Sequence, residues 1–107
     1  MDSIVAVECE TGMRLTEEQI EQQLAEADGW HRDGGKWITR KYRFKQFMDG
    51  IAFVNEVAQT AERMNHHPMI SIDYKMITLR LTTWHDGGLT ALDFQSAEAY
   101  NYLFEKY

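Results

Sequence analysis

The spacing of apolar side chains alternates between a helical period and a strand period along the chain. The first helical segment opens with Thr16-Glu-Glu-Gln19, in which the threonine and glutamine side chains can each accept from the other residue's backbone amide. Ile20 and Leu24 then lie one helical turn apart, and Gly29 is typical of a helix end. We predict a first helix over about residues 16–27.

A β-hairpin is predicted between Trp30 and Phe44. Its turn is Asp33-Gly34-Gly35, because glycine adopts positive φ angles at little steric cost. Along the return strand apolar and polar side chains alternate, as in a strand with one buried face. The face predicted to be buried carries Ile38, Tyr42 and Phe44, and the opposite face carries Thr39, Lys41 and Arg43.

The second helix is predicted over about residues 46–65. Its apolar side chains recur at steps of three and four residues, and we interpret them as facing the core rather than a ligand. His67 precedes Pro68, the only proline, and a residue before proline avoids helical geometry, so a turn should begin there. The predicted core-facing residues are Phe47, Ile51, Phe53, Val54, Val57, Ala58, Ala61 and Met64.

Two more strands and a last helix complete the pattern. Apolar residues alternate over residues 70–74 and again over 77–81, which predicts two antiparallel strands with a tight connection between them. Gly87-Gly88 forms the next turn. Thr90 is the predicted N-cap of the last helix, with Asp93 in its first turn.

This order of elements, α-β-β-α-β-β-α, predicts an α+β fold with a single four-stranded antiparallel sheet and about three helices packed on one face. We expect residues 1–107 to form a single domain, in which residues 1–14 are an irregular or partly mobile arm. The sheet edges and its less covered face are natural places for a second subunit.

Composition restricts the partners of this domain. With 44% apolar and 12% aromatic residues, the chain has the composition of a packed globule, and its net charge of −6 argues against binding to a nucleic-acid backbone. Neither a signal peptide nor a membrane span is visible in the sequence. Cys9 is the only cysteine, which excludes an intramolecular disulfide and suits a cytoplasmic location.

The candidate chemistry lies where the second helix meets its proline. If that helix extends to about residue 65, Glu62 and His66 are one turn apart, and the carboxylate can hold the imidazole in one tautomer. His67, bent away by Pro68, presents a second imidazole in another direction. Two imidazoles in different surroundings suit a reaction that needs both a general acid and a general base.

A simpler interpretation is a solvated helix end with two exposed histidines, and on spacing alone this is the commoner case. A metal site is less favoured still. Adjacent histidines rarely face one ion, and neither Cys9 nor His31 adds a recognisable ligand spacing, so we expect no metal.

The wider pattern resembles a known family, the pterin-4a-carbinolamine dehydratases. The resemblance begins with Glu62-x-x-x-His66-His67-Pro68 and extends over roughly residues 14–107. A bare His-His-Pro would be a weak signal, whereas the combined spacing is specific. The other matching positions are Gly29-Trp30, Phe44-x-x-Phe47, Tyr74, an aromatic at Trp84, Gly88-Leu89-Thr90 and Asp93.

The resemblance implies a hydro-lyase that dehydrates 4a-hydroxytetrahydropterin to quinonoid dihydropterin, recycling the pterin after an aromatic amino acid hydroxylase has used it. It implies that His66 and His67 share the acid and base roles. Glu62, Trp84 and Asp93 are then substrate-binding or supporting residues. The pterin is the substrate, so no metal or redox cofactor is required. Members of the family assemble as homodimers or homotetramers.

One departure concerns Trp84, because many members of the family carry a third histidine at that position. The family pattern admits either residue, so activity is still expected. Trp84 could wall the pterin ring or simply plug the strand end. His85 is a candidate for the third imidazole, but successive residues of a strand point to opposite faces, so it would need a β-bulge.

Two alternatives to recycling remain open. Some family members bind transcription factors, so the chain could be a non-catalytic protein-binding or dimerisation module on the same scaffold. It could also be a pterin enzyme that serves molybdopterin metabolism. The presence of both histidines and both carboxylates favours an enzyme, since a pure binding module has no physical need for them.

Overall fold

The computed structural model describes residues 14–107, so the arm expected over residues 1–14 lies outside the described part except for Arg14. The elements follow the predicted order and confirm the α+β fold. They are α1 (Glu17–Glu26), β1 (His31–Asp33), β2 (Trp37–Arg43), α2 (Phe47–Met64), β3 (Met69–Asp73), β4 (Met76–Leu81), a 3₁₀ turn (Trp84–Asp86) and α3 (Ala91–Phe104).

Two of the three helices in residues 14–107 begin with a reciprocal cap. In α1 the amide of Thr16 donates to Gln19 Oε1 at 2.8 Å, and the amide of Gln19 donates to Thr16 Oγ1 at 3.1 Å. Thr90 and Asp93 form the equivalent pair at the start of α3. Each pair satisfies two amides that a helix start would otherwise leave without an acceptor, which explains why these helices begin where the sequence predicts.

The four strands form one antiparallel sheet in the order β1-β2-β4-β3. The register pairs Ile38 with Leu81 and Ile72 with Ile77, which places their side chains on the face that packs against the helices. β3 lies at the edge of the sheet, and all five of its residues are exposed. Within the described residues, no helix is long and apolar enough to cross a membrane.

The core lies between this face of the sheet and helices α2 and α3. For α2 the predicted stripe is only partly right, because Phe47 and Ala58 are exposed. Gly50 packs close to β4, where an added Cβ would lie 3.4 Å from Ile77, and the buried face of the helix consists of Gly50, Phe53, Val57, Thr60 and Ala61. The fully buried residues of the core are Ile38, Tyr42, Phe53, Val57, Ile77, Leu79, Leu81, Ala97 and Tyr100.

A hydrogen-bond hub that the sequence did not predict joins α3 to the sheet. Asn101 Oδ1 accepts from Trp30 Nε1 at 3.0 Å, from Arg40 Nη1 at 2.7 Å and from the Tyr42 hydroxyl at 2.5 Å. Its amide nitrogen donates to the Asp28 carbonyl at 2.9 Å. One side chain therefore satisfies polar groups from β2 and from the loop between α1 and β1.

We predict that Asn101→Ala lowers the free energy of unfolding by about 2–4 kcal/mol, because the Trp30 and Tyr42 donors would be left buried without an acceptor. Urea denaturation followed by circular dichroism measures this loss. Asn55→Ala, at an exposed position of α2, is the matched control and should change stability little. Equal stabilities for the two variants would contradict the hub's role.

Candidate active site

The end of α2 decides where the two adjacent histidines point. The helix ends at Met64, and Asn65 takes up the left-handed conformation with φ 53° and ψ 42°. The amide of His66 then donates back to the Ala61 carbonyl at 3.1 Å, which closes the helix. The chain reverses its curvature at Asn65, so His66 does not continue the helical face that carries Glu62.

His66 turns inward to a carboxylate far away in the sequence. Its Nε2 lies 2.6 Å from Asp93 Oδ1, and the two side chains are 10% and 0% exposed. The predicted pairing of Glu62 with His66 is therefore wrong, because α2 ends at Met64, two residues before His66. Since an ionised carboxylate can only accept, His66 donates through Nε2, and Nδ1 is the ring nitrogen that remains for a substrate.

The Asp93 carboxylate is held by donors on its other oxygen as well. Oδ2 accepts from the Thr83 hydroxyl at 2.7 Å and from the Thr90 amide at 2.9 Å. The hydroxyls of Thr83 and Thr90 are 2.9 Å apart, and because Thr83 donates to Asp93, Thr90 must donate to Thr83. Asp93 also lies in the first turn of α3, where the helix dipole favours a negative charge.

His67 pairs with the second carboxylate at the surface. Its Nε2 lies 2.6 Å from Glu62 Oε2, and the side chains of His67 and Glu62 are 55% and 78% exposed. Glu62 thus supports the second of the two histidines, one residue later than predicted. The corner contains two imidazole–carboxylate pairs, of which one is enclosed by protein and the other is open to solvent.

Both histidines line a cavity of about 600 Å³ between the end of α2 and the segment after β4. Its size falls within the usual range for small-molecule sites. Asp93 is fully buried behind His66, so it has no surface with which to touch a ligand directly. The cavity is lined by Asn65, His66, His67, Pro68, Met69, Thr82, Thr83, Trp84, His85, Asp86, Thr90 and Leu92.

The segment carrying Trp84 and His85 is a 3₁₀ turn and not a strand end. A bridge between Thr83 and Gly88 closes the loop, and Gly87 adopts a φ of 72°, a conformation that favours glycine. The expectation that His85 needs a β-bulge is wrong for this reason, since strand alternation does not apply. Trp84 and His85 both line the cavity, and Trp84 is 74% exposed.

Tyr74 is one of the residues of the predicted pattern that do not line this cavity. It occupies the two-residue connection between β3 and β4, and its ring stacks on Phe47 with centroids 6.3 Å apart. Conversely, Thr83 belongs to the site and the sequence did not predict it. A threonine at the end of a strand carries no local signal that its hydroxyl will reach a carboxylate ten residues later.

A second buried group near Asp93 is the phenol of Tyr100 on α3. Burial raises the pKa of Tyr100 to about 12, and the charge of Asp93 adds to that rise. Tyr100 therefore stays neutral at physiological pH. Within residues 14–107, no three histidine, cysteine or carboxylate side chains are arranged to hold a metal ion.

Comparison with known sequences identifies related proteins. Residues 13–103 match the family model described as pterin 4 alpha carbinolamine dehydratase. A Picosynechococcus sp. protein, provisionally named a pterin-4-alpha-carbinolamine dehydratase, is 41% identical over 90 residues, covering 84% of this chain and 97% of that protein. A Sulfolobus acidocaldarius protein of the same provisional name is 34% identical over 89 residues, covering 83% of this chain and 97% of its own.

Two solved structures share the fold. A transcriptional coactivator/pterin dehydratase from Brucella melitensis superposes with a TM-score of 0.81 at 35% identity, covering 84% of this chain and 97% of that one. A pterin dehydratase-like protein described as a RuBisCO assembly factor in the alpha-carboxysome has a TM-score of 0.62 at 18% identity, covering 71% and 89%. The second likeness concerns the fold alone.

We predict that the two carboxylates differ in their contribution to stability. Asp93→Ala should lower the free energy of unfolding by about 3–5 kcal/mol, because it removes a helix cap and leaves buried donors without an acceptor. Glu62→Ala, the matched control on the exposed pair, should cost less than about 1 kcal/mol. Urea titrations of both variants provide the measurement, and similar losses would contradict the difference in burial.

Proposed function

Because the chain belongs to the pterin 4 alpha carbinolamine dehydratase family, we propose that it dehydrates 4a-hydroxytetrahydropterin to quinonoid dihydropterin and water. The observation that carries the proposal is that two imidazoles line one cavity, each with its Nε2 paired to its own carboxylate. We further propose that the reaction recycles tetrahydropterin for an aromatic amino acid hydroxylase.

The reaction is an elimination that transfers two protons. The N5–H bond breaks, its electron pair forms the N5–C4a double bond, and the C4a–O bond breaks as the hydroxyl group takes up a proton. A neutral imidazole accepts the N5 proton, and a protonated one donates to the departing hydroxyl. His66 and His67 divide these two roles through their Nδ1 atoms, and general acid–base catalysis of this kind contributes about 10²- to 10⁴-fold.

The carboxylates act through the histidines in this proposal. Asp93 fixes the tautomer and ring orientation of His66, and Glu62 does the same for His67 at the surface. For Asp93 this role replaces the direct substrate contact implied by the resemblance, because its carboxylate is fully buried. Glu62 does not itself line the cavity, so in this proposal it supports the substrate site through His67.

The turn at residues 84–86 supplies the opposite side of the proposed site. Trp84 provides an apolar, flat surface against which a pterin ring can pack. His85 lines the same cavity and is the candidate third imidazole, assisting proton transfer without replacing either His66 or His67. Neither role requires a metal or a redox cofactor.

We also propose a homodimer or homotetramer in the cytoplasm. The location rests on the single cysteine, which suits a reducing compartment. The assembly rests on β3, an edge strand on which Ile70 and Ile72 are 37% and 45% exposed on the helix side of the sheet. An unpaired strand with an exposed apolar face is a surface that a second subunit can cover.

We predict that the wild-type protein accelerates dehydration of freshly generated 4a-hydroxytetrahydropterin above its spontaneous rate. The double variant His66→Ala, His67→Ala should lose this acceleration, and each single variant should lose about 10²- to 10⁴-fold where its imidazole is the acid or the base. His31→Ala, which removes an exposed histidine of β1 outside the cavity, is the matched control and should retain full activity. Stopped-flow absorbance follows the product.

A wild-type protein that leaves the spontaneous rate unchanged would refute the dehydratase proposal. A protein-binding module would then be the better interpretation, and the exposed apolar surface at β3 favours it as the second candidate. If the wild-type protein is active but no aromatic amino acid hydroxylase is encoded beside its gene, a role in molybdopterin metabolism would be favoured over pterin recycling.

We predict that the native mass measured by light scattering is that of a dimer or tetramer. Ile72→Lys should shift it toward a monomer, because the charge falls on the apolar side of β3. Ser71→Lys places the same charge on the opposite side of the same strand and should have the smaller effect. A monomeric wild-type protein would exclude this assembly.

A further inference from the structure

The proposed chemistry does not explain how Trp84 keeps its orientation at the mouth of the cavity. The side chain is 74% exposed, although it lines the cavity beside the two histidines. It lies in a short 3₁₀ turn, so no regular strand or helix fixes its direction. A flat ring is an effective recognition surface only if its plane is held before binding, because ordering a free side chain weakens affinity.

Trp37 lies against the Trp84 ring. The two ring centroids are 5.2 Å apart, and the planes meet at 83°. This perpendicular arrangement is one of the two favoured geometries for aromatic pairs. Trp37 belongs to β2 and alternates with buried Ile38, so it lies on the sheet face opposite the helices. A perpendicular contact constrains the tilt of Trp84, and most of the Trp84 side chain remains exposed for a ligand.

Trp37 is itself clamped from two neighbouring strands. The guanidinium carbon of Arg80, on β4, lies 4.2 Å from the Trp37 ring centroid, within the range of a cation–π contact. Arg80 Nε donates to Asp33 Oδ2 at 2.9 Å. Asp33 is the cross-strand partner of Trp37 on β1, so Arg80 reaches over the indole to its anchor. We name Asp33, Trp37 and Arg80 the indole clamp.

We infer that Trp37 is a positioning residue: held in the indole clamp, it fixes the ring plane of Trp84, and Trp84 recognises the flat bicyclic ring of the substrate by stacking. The inference rests on the proposed function and specifies how its substrate is selected. If the clamp only covered the outer face of the sheet, its loss would affect stability and not ligand affinity.

A double-mutant cycle on ligand affinity separates these two roles. The probe is fully oxidised biopterin, which has no 4a-hydroxyl group and does not react, and equilibrium dialysis gives its Kd. Trp84→Leu should weaken binding about three- to tenfold, the usual size of an aromatic contact. Trp37→Leu should weaken binding by most of the same factor. The double variant should be no weaker than Trp84→Leu, because Trp37 acts only through Trp84.

Steady-state kinetics provide a second readout of the same variants. KM for 4a-hydroxytetrahydropterin should rise in parallel with Kd, whereas kcat should stay close to the wild-type value, since the imidazoles are untouched. Trp37→Phe keeps an aromatic ring at position 37 and should restore most of the affinity. Tyr102→Leu is the matched control: Tyr102 is an aromatic on α3 that is also 74% exposed, lies outside the cavity and should not affect Kd or KM.

Circular dichroism tests the geometry without a ligand, because two indoles at this distance should give an exciton couplet that either single variant abolishes. An unchanged Kd and KM in Trp37→Leu would overturn the inference, and so would a loss that persists in the Trp84→Leu background. If the wild-type protein neither binds biopterin nor dehydrates the substrate, both the proposed function and the inference about Trp37 are refuted. Wild-type binding with an unaffected Trp37→Leu refutes the clamp's role alone.

Discussion

The buried carboxylate of Asp93 is the constraint on which the rest of the site depends. Burying a charged carboxylate away from water is costly unless hydrogen-bond donors surround it. Here the donors come from three separate segments: the start of α3 at Thr90, the segment after β4 at Thr83, and the chain after α2 at His66. Satisfying one carboxylate therefore fixes the relative positions of the sheet, the last helix and one candidate catalytic imidazole.

The same atoms cap α3 and orient His66, so stability and chemistry are coupled at this point. A substitution that removed the carboxylate would weaken the helix start and release the imidazole together. The Glu62–His67 pair has no such dependence, because both side chains remain largely exposed to water. One imidazole is preorganised by the protein interior, while its neighbour can exchange protons directly with solvent. Such a division suits a reaction in which one proton is taken up and another is delivered.

Most of the fold could be predicted from the sequence because its signals are local. Two of the three helix starts in residues 14–107 carry reciprocal caps, and the strands alternate around glycine or two-residue turns. The pairing of Glu62 with His66 failed for a physical reason. Asn65 adopts the left-handed conformation usual for glycine, and helical periodicity does not reveal that conformation. Nor does periodicity show that the partner of His66 lies 27 residues further along the chain.

The positions of Trp84 and His85 were also predicted wrongly, because local periodicity does not show where the strand ends. The predicted alternation over residues 77–81 matches the strand, but Trp84 was expected at the strand end, whereas the ladder ends at Leu81 and the chain enters a 3₁₀ turn. Strand geometry would allow only one of the two side chains to face the cavity, and the turn allows both. His66 is fixed by its buried carboxylate, but this turn borders solvent and can accept side chains of different shape. In the proposed dehydratase, the residue at position 84 should therefore affect substrate binding more than proton transfer.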